Sequence, residues 1–155
     1  MGVGYDAHRF VEGRPLVLGG VEIPYRLGLA GHSDADVVTH AVVDAVLGAA
    51  GMADIGVLFP DADPVYKDAD SVTLLERAVG LVREGGWQVG NVDVVIVLEE
   101  PRLAEHRQGM RQRLAEALDV GTEDVWVKAK TTEGMGFEGR REGVSATAVC
   151  LLRRR

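Results

Sequence analysis

Hydrophobic and polar residues recur along this chain with two different periods. From Val92 to Leu98 apolar side chains occupy every second position, which is typical of a strand. Between residues 71 and 84, and again between 103 and 118, they recur every three or four positions, which is typical of an amphipathic helix. The patterns predict strands at about 2–10, 16–18, 92–98, 125–130 and 144–152, and helices at about 34–50, 71–84 and 103–118.

Polar residues and glycines mark where the predicted helices begin and end. Ser71 can cap the second helix, and Gly85-Gly86 can end it. Ser33, with Asp36 three residues later, resembles a capping box for the first helix, which Gly51 would stop. Strands and helices interleave without repeats or linkers. This order predicts one α+β domain over residues 1–155, with helices packed on one face of a mixed β-sheet.

The composition and net charge limit the classes of protein to which this chain can belong. No apolar run approaches the roughly eighteen residues of a membrane span, and no basic region followed by an apolar stretch opens the chain, so a cytoplasmic protein is expected. A formal net charge of −7 argues against broad nucleic-acid binding. An anionic ligand would therefore need help from a metal ion or from oriented backbone amides. The one cysteine, Cys150, lies in an alternating strand pattern and is expected in the core.

Two groups of polar residues can together form a metal site. In an extended segment Asp6 and His8 would share one face. His40 would lie on the first helix with Asp36 and Asp44 one turn to either side. Two imidazoles and a carboxylate are a zinc-type set that leaves a fourth position open. Each group also has an explanation without a metal. Asp6 and His8 could be a hydrogen-bonded surface pair, and the group that contains Asp36 could be the acidic, solvated start of a helix.

Three loops between the predicted elements carry further polar residues. Residues 54–64 are rich in turn residues and carboxylates, which fits a structured surface loop as well as a site. Residues 98–104 form a strand-to-helix turn whose backbone amides could face a ligand. Residues 128–140 combine cations, hydroxyls, a carboxylate and glycines, which suits a phosphorylated ligand with a hard cation, or simply a glycine-rich hairpin.

Five blocks of residues resemble one known family in order. They are Gly-x-Asp-x-His-x-Phe at 4–10, Leu-Gly-Gly-Val-x-Ile-Pro at 18–24, His-Ser-Asp-Ala-Asp with the helical His and Asp at 32–44, Asp-Ile-Gly with Phe-Pro-Asp-x-Asp-Pro at 54–64, and Lys-Ala-x-Thr-Thr-Glu-x-x-Gly-Phe-x-Gly-Arg at 128–140. The chain resembles the 2-C-methyl-D-erythritol 2,4-cyclodiphosphate synthases, the cyclases of the non-mevalonate isoprenoid pathway. It departs from the usual pattern at Ala62, Arg102 and Arg141, where Thr, Lys and Gly are common.

The resemblance implies two metal sites. Asp6, His8 and His40 would hold zinc, with Asp44 orienting an imidazole. Glu133 would hold magnesium or manganese against the diphosphate. His32 and Thr131 would be the catalytic residues that flank the transferred phosphoryl group.

It also implies the substrate contacts and the assembly. Substrate positions would be Ser33, together with Asp54, Ile55, Gly56, Phe59, Pro60, Asp61, Ala62 and Asp63 for the methylerythritol part, and Leu98, Glu99, Glu100, Pro101, Arg102, Leu103, Ala104, Lys130 and Thr132 for the cytidine nucleotide. The family is a homotrimer with active sites between subunits and an apolar axial cavity, near which Phe137 and Arg140 would fall and an isoprenyl diphosphate could bind.

The implied reaction joins two phosphates of one substrate molecule. The 2-phosphate of 4-diphosphocytidyl-2-C-methyl-D-erythritol 2-phosphate attacks the β-phosphorus, and CMP leaves. Positioning and charge neutralisation should supply most of the acceleration. Two alternatives remain: a metal-dependent phosphohydrolase that activates water, and a non-catalytic trimer that binds isoprenyl diphosphates.

Overall fold

The protein is described by a computed structural model over residues 1–60 and 62–155. Its strands are β1 (Gly2–Val11), β2 (Leu16–Leu18), β3 (Val21–Ile23), β4 (Gly28–Leu29), β5 (Trp87–Val97), β6 (Val125–Lys130) and β7 (Gly143–Arg154). Its helices are α1 (Val37–Ala49), α2 (Ile55–Leu58), α3 (Ser71–Glu84), α4 (Arg107–Leu118) and α5 (Gly136–Gly139), with short 3-10 turns at Pro64–Tyr66 and Thr122–Asp124.

Five strands form the main sheet in the order β4-β1-β7-β5-β6, and β2 pairs with β3 in a separate two-stranded sheet. The pairs β1–β4, β1–β7 and β5–β7 are antiparallel, whereas β5–β6 is parallel. The main sheet is therefore mixed, which confirms the predicted α+β class.

The core lies between this sheet and helices α1, α3 and α4. Val92, Val94 and Ile96 of β5 are buried, as their alternation predicts, and Cys150 of β7 is buried beside them. Each such aliphatic side chain contributes roughly 1.5–3 kcal/mol by leaving water. Five other apolar side chains of the strands are exposed: Val3, Tyr5, Trp126, Val149 and Leu151.

Within residues 1–60 and 62–155, no helix is long and apolar enough to cross a membrane.

Two glycines of β1 let helix α1 lie directly on the strand. A Cβ built on Gly4 would stand 1.9 Å from the carbonyl oxygen of Ala41, and one built on Gly2 would stand 2.2 Å from that of Ala45. No side chain fits at such distances. The close backbone approach continues along the same face of β1 to Asp6 and His8, and so brings them to the first turn of α1.

Helix α1 begins three residues later than the sequence pattern predicts. Ala35 adopts a left-handed backbone with φ of 56°, which interrupts the helix before Asp36. Asp36 is the N-cap, so the predicted capping box at Ser33 is wrong. The buried Asp36 carboxylate accepts hydrogen bonds from the backbone N–H of Gly19 (2.8 Å), Gly20 (2.6 Å) and Thr39 (3.0 Å), and from the Thr39 hydroxyl (2.6 Å). It fastens the β2–β3 turn to α1 and does not reach the His40 ring.

Other boundaries differ in smaller ways. Helix α3 has the predicted limits, but Asp70 rather than Ser71 accepts from the Val72 N–H and caps it. Helix α4 starts at Arg107 instead of residue 103, because residues 103–106 form turns. The short elements β3, β4, α2 and α5 were not predicted.

Candidate metal centre and adjoining cavities

Three side chains from β1 and α1 form a tight triangle of possible metal ligands. Asp6 Oδ2 lies 2.8 Å from His8 Nε2 and 3.0 Å from His40 Nδ1, and the two imidazole nitrogens are 3.3 Å apart. Ligand atoms of a tetrahedral zinc lie about 3.3 Å apart, given bonds of about 2.0–2.1 Å. The predicted Asp6, His8 and His40 group is therefore present as a set that can hold a metal ion.

The His8 ring is oriented by the backbone. Its Nδ1 donates to the carbonyl oxygen of Ala30 at 2.6 Å, which leaves Nε2 facing Asp6 and His40. Burial lowers the pKa of His8, but the hydrogen bond and the charge of Asp6 outweigh burial and raise it overall. For Asp6 the two effects are opposite in sign. Burial alone would raise the pKa of its carboxyl group, but hydrogen bonds with His40 and His8 lower that pKa overall. The arrangement thus favours the ionised carboxylate that a cation requires.

The distal nitrogen of His40 has partners that the sequence analysis did not anticipate. His40 Nε2 lies 2.9 Å from Ser71 Oγ and 3.2 Å from Ser33 Oγ. Asp44, expected to orient the ring, instead accepts a hydrogen bond from the Ile55 N–H at 2.8 Å. That expectation is wrong because the Asp44 carboxylate is engaged with the segment that follows α1. Burial raises the pKa of Asp44, opposed by the Ile55 N–H.

The triangle opens into a cavity of about 270 Å³. Besides the three ligands, Asp44 and Leu74, it is lined by Gly31, His32, Ser33, Ile55, Gly56, Phe59 and Tyr66. His32 is exposed and Ser33 is buried. Arg14 holds this loop from outside by donating to the carbonyl oxygens of Gly31 (2.6 Å) and Ser33 (2.5 Å). The cavity therefore combines a metal-binding group with a hydroxyl, an imidazole and apolar walls.

The remaining residues predicted for the methylerythritol part lie around this cavity or beyond it. Asp54 is the N-cap of α2 and accepts from the Val57 N–H at 3.0 Å, so it shapes the loop without lining the cavity. Asp63 caps the 3-10 turn at Pro64–Tyr66. Pro60 and Ala62 are exposed and do not line the cavity. Asp61 lies outside the described residues.

A second cavity, of about 290 Å³, lies between the β5–α4 loop and the end of β6. Its walls include most of the residues predicted for the nucleotide: Leu98, Glu99, Pro101, Arg102, Leu103, Ala104 and Lys130. Thr131, predicted to be catalytic, also lines it. Arg107 and Ala129 complete the walls. Glu100 is not a wall residue; it forms an ion pair with Arg141 at 3.2 Å. Among residues 1–60 and 62–155, none lines both the second cavity and the first.

Glu133 sits on the turn that follows β6. Its backbone is left-handed, with φ of 54°, and its exposed carboxylate accepts from the Thr131 hydroxyl at 3.2 Å. Thr132 bonds to Glu99 and not to Glu133: the Glu99 carboxylate accepts from the Thr132 N–H at 2.9 Å. The turn thus presents Thr131 and Glu133 together, next to the second cavity and not at the Asp6–His8–His40 triangle.

A third and larger cavity, of about 690 Å³, is lined by Ala7, His8, Arg9, Phe10, Leu27, Phe137, Arg141 and Glu142. Arg140 is not one of its lining residues, but its guanidinium donates to Glu142 at 2.8 Å. Basic and acidic side chains therefore stand beside the aromatic rings of Phe10 and Phe137 in this cavity.

Sequence reasoning missed several residues that shape these sites. Ser71 was interpreted as a helix cap, and nothing in the spacing signals its approach to His40. Tyr66 lines the first cavity and packs edge-on against Phe59 with ring centroids 5.6 Å apart. Arg14 precedes a strand and resembles any surface arginine. Only the fold brings these residues together.

The fold and the triangle define an α+β protein whose three-ligand metal-binding group, set between a strand and a helix, opens into a cavity with both polar and apolar walls. The chain belongs to the YgbB family, whose profile matches residues 1–153.

Named relatives match over nearly the full length. The chain is 57% identical over 152 residues to 2-C-methyl-D-erythritol 2,4-cyclodiphosphate synthase from Syntrophomonas wolfei, covering 98% of this chain and 97% of the relative. Among solved structures, a 2C-methyl-D-erythritol-2,4-cyclodiphosphate synthase in a CDP-bound form matches with TM-score 0.90 and 38% identity, over 98% of this chain and 99% of that one. The bifunctional IspDF from Campylobacter jejuni matches with TM-score 0.96 and 44% identity, over 99% of this chain but only 42% of that larger protein.

Proposed function

We propose that this protein is a 2-C-methyl-D-erythritol 2,4-cyclodiphosphate synthase. It converts 4-diphosphocytidyl-2-C-methyl-D-erythritol 2-phosphate into the cyclic diphosphate and CMP. The observation that carries the proposal is the Asp6–His8–His40 triangle opening into the cavity that His32 and Ser33 line, in a chain that matches synthases along its whole length. A net-acidic protein needs such a local cation to accept a substrate that bears several phosphates.

The ligand set fits zinc. Two imidazole nitrogens and one carboxylate oxygen are the ligand types of catalytic zinc sites, and their separations of 2.8, 3.0 and 3.3 Å approach those of a tetrahedral ion. Bound there, zinc supplies positive charge that polarises a phosphoryl oxygen. Glu133 is proposed to hold magnesium or manganese, because hard ions prefer a carboxylate completed by phosphate oxygens.

The residues of the chain would mainly position the substrate. An oxygen of the 2-phosphate forms a bond to the β-phosphorus, and the bond from that phosphorus to the bridging oxygen breaks, with CMP as leaving group. His32 and Thr131 are proposed to flank the phosphoryl group and donate to its oxygens. Ser33 and the loop at 54–63 would hold the methylerythritol part. The second cavity, with Arg102 and Lys130, would hold the nucleotide.

The active site is proposed to form between two subunits of a homotrimer. The metal triangle and Thr131 belong to separate cavities, which have no lining residue in common in the part of the chain that the structure describes. The exposed Val3, Tyr5, Val149 and Leu151 on neighbouring strands β1 and β7 offer an apolar surface for subunit contact. Joining the metal half of one chain to the nucleotide half of another would complete the site.

Isotope labelling separates this function from a phosphohydrolase, which would also liberate CMP. The reaction is run with the cytidylylated substrate in oxygen-18 water and followed by phosphorus NMR. A cyclic diphosphate without label is expected, because the nucleophile is the substrate's own phosphate. A labelled linear phosphate product would make the protein a hydrolase.

A further inference from the structure

A chain of hydrogen bonds runs from the His40 ring to a carboxylate that is not one of the metal ligands. Ser71 Oγ lies 2.9 Å from His40 Nε2 and also contacts Asp34 Oδ1 in a short hydrogen bond. These hydrogen bonds connect three separate parts of the sequence: the loop before α1, helix α1 and the first residue of α3.

The Asp34 carboxylate is itself fixed in place. Its Oδ2 accepts from the Ser71 N–H at 3.1 Å, and its Oδ1 accepts from the Asp36 N–H at 3.1 Å. Ser71 is fully buried. The serine hydroxyl therefore has a fixed position between the imidazole and the carboxylate.

The direction of each bond follows from the donors available. An ionised carboxylate accepts only, so the Ser71 hydroxyl donates its one proton to Asp34. Toward His40 the same oxygen can then act only as an acceptor. His40 Nε2 must carry a proton to make that bond, and the lone pair of Nδ1 is left for the metal.

From this geometry we propose that Ser71 and Asp34 are positioning residues for the metal centre. They select the Nε2–H tautomer of His40 and aim its Nδ1 at the ion. Such partners of metal-bound histidines typically change metal affinity by about 10- to 100-fold when removed. The proposal rests on the proposed metal site, and it assigns to Ser71 the role that the family resemblance implied for Asp44.

The test compares zinc affinity, by competition with a chelator, across four variants of the full chain. Ser71→Ala removes the nearer acceptor and leaves only Ser33 Oγ, at 3.2 Å from His40 Nε2. Asp34→Ala removes the carboxylate that takes the Ser71 proton, so the Ser71 hydroxyl becomes free to donate to His40. Each is expected to weaken zinc binding by about 10-fold or more. Asp70→Ala is the matched control: it removes the true cap of α3, one residue away, and should lower stability but leave zinc affinity within about twofold.

His40→Ala separates failure of this proposal from failure of the proposed function. If it binds zinc as well as the unchanged protein, the metal site itself is wrong. If it loses zinc while Ser71→Ala binds like the Asp70→Ala control, the positioning role is refuted. Unchanged affinity in Asp34→Ala would also refute the proposal, because the carboxylate would then have no part in setting the direction of the Ser71–His40 bond.

A spectroscopic signature supplements the affinities. In zinc-loaded protein with nitrogen-15 histidine, the His40 Nε2–H should appear as an imidazole proton protected from exchange with water. Ser71→Ala should speed its exchange or remove the signal, whereas Asp70→Ala should not. Equal protection in all variants would overturn the proposal.

Discussion

Gly4 of β1 lies against the backbone of Ala41 in helix α1, so closely that a Cβ on Gly4 would be 1.9 Å from the Ala41 carbonyl oxygen. His40 precedes Ala41, and Asp6 follows Gly4 on the same strand face. The separation of 3.0 Å between Asp6 Oδ2 and His40 Nδ1 therefore depends on a backbone contact that only glycine permits.

Gly4→Ala should push α1 away from β1. Overpacking of this kind costs about 1–3 kcal/mol, and the displaced His40 should weaken zinc binding in the molecules that remain folded. Denaturant unfolding and chelator competition measure the two effects. Gly48→Ala is the control, since an added Cβ on Gly48 of α1 would meet no atom within 4 Å beyond its chain neighbours and the backbone of its own helix. If Gly4→Ala is as stable and binds zinc as tightly as this control, the contact does not set the ligand geometry.

Glu133→Gln should abolish turnover without removing zinc. The amide lacks the charge that a hard cation prefers, while Asp6, His8 and His40 are untouched. Turnover should fall at least about 100-fold, with zinc per chain unchanged. Glu123→Gln, at another exposed glutamate, should keep full activity. Loss of zinc together with activity would contradict the picture of two separate sites.

Mixed assemblies can test whether the site is shared between subunits. His40→Ala damages the metal half and Thr131→Ala the nucleotide half, so each variant alone should be inactive. Refolding them together in equal amounts should restore about one quarter of wild-type activity, because random assembly joins two intact halves at that frequency. Mixing His40→Ala with His32→Ala, two changes in the same half, should restore nothing. Two inactive mixtures would place the whole site within one chain.

Cys150 should resist thiol reagents in the folded protein. Burial raises the pKa of its thiol to about 12. A raised pKa keeps the thiol protonated, so at pH 8 only about one molecule in ten thousand carries the reactive thiolate. Labelling with a chromogenic disulfide should be slow in buffer and complete, at one thiol per chain, in guanidinium. Rapid labelling of native protein would show that β7 is accessible.

The positions of strands and helices were predictable where the spacing of apolar residues along the sequence matches the positions that are buried in the fold. The limits of α3 match the prediction because its buried apolar stripe runs through nearly the whole helix. Those of β6 match because Val125, Val127 and Ala129 alternate with Trp126, Lys128 and Lys130 along the strand, although only the two valines are buried. Helix α1 was predicted too long because the left-handed Ala35 is an alanine, a residue whose identity gives no sign of that conformation. Leu103 extended the predicted α4 because it is apolar and buried, yet it lies in the loop that lines the second cavity.

The metal ligands were predictable from chemistry, but their supports were not. Asp6, His8 and His40 stand out as residue types that bind metals at a suitable spacing. Ser71 reaches His40 only through the packing of α3 beside α1, and spacing along the sequence does not encode that distance. Asp44 has the right helical spacing from His40, but the backbone of Ile55 engages its carboxylate first.

Helix α1 positions two parts of the first cavity, because its Asp44 accepts a hydrogen bond from the Ile55 N–H. His40 supplies a corner of the metal triangle, and Asp44, one turn further along, anchors the segment that forms the opposite wall through Ile55, Gly56 and Phe59. Rotating or sliding α1 would therefore shift a corner of the metal triangle and that wall together. Anyone redesigning this pocket for another ligand should change the side chains of the wall and keep Asp44 as the fixed point.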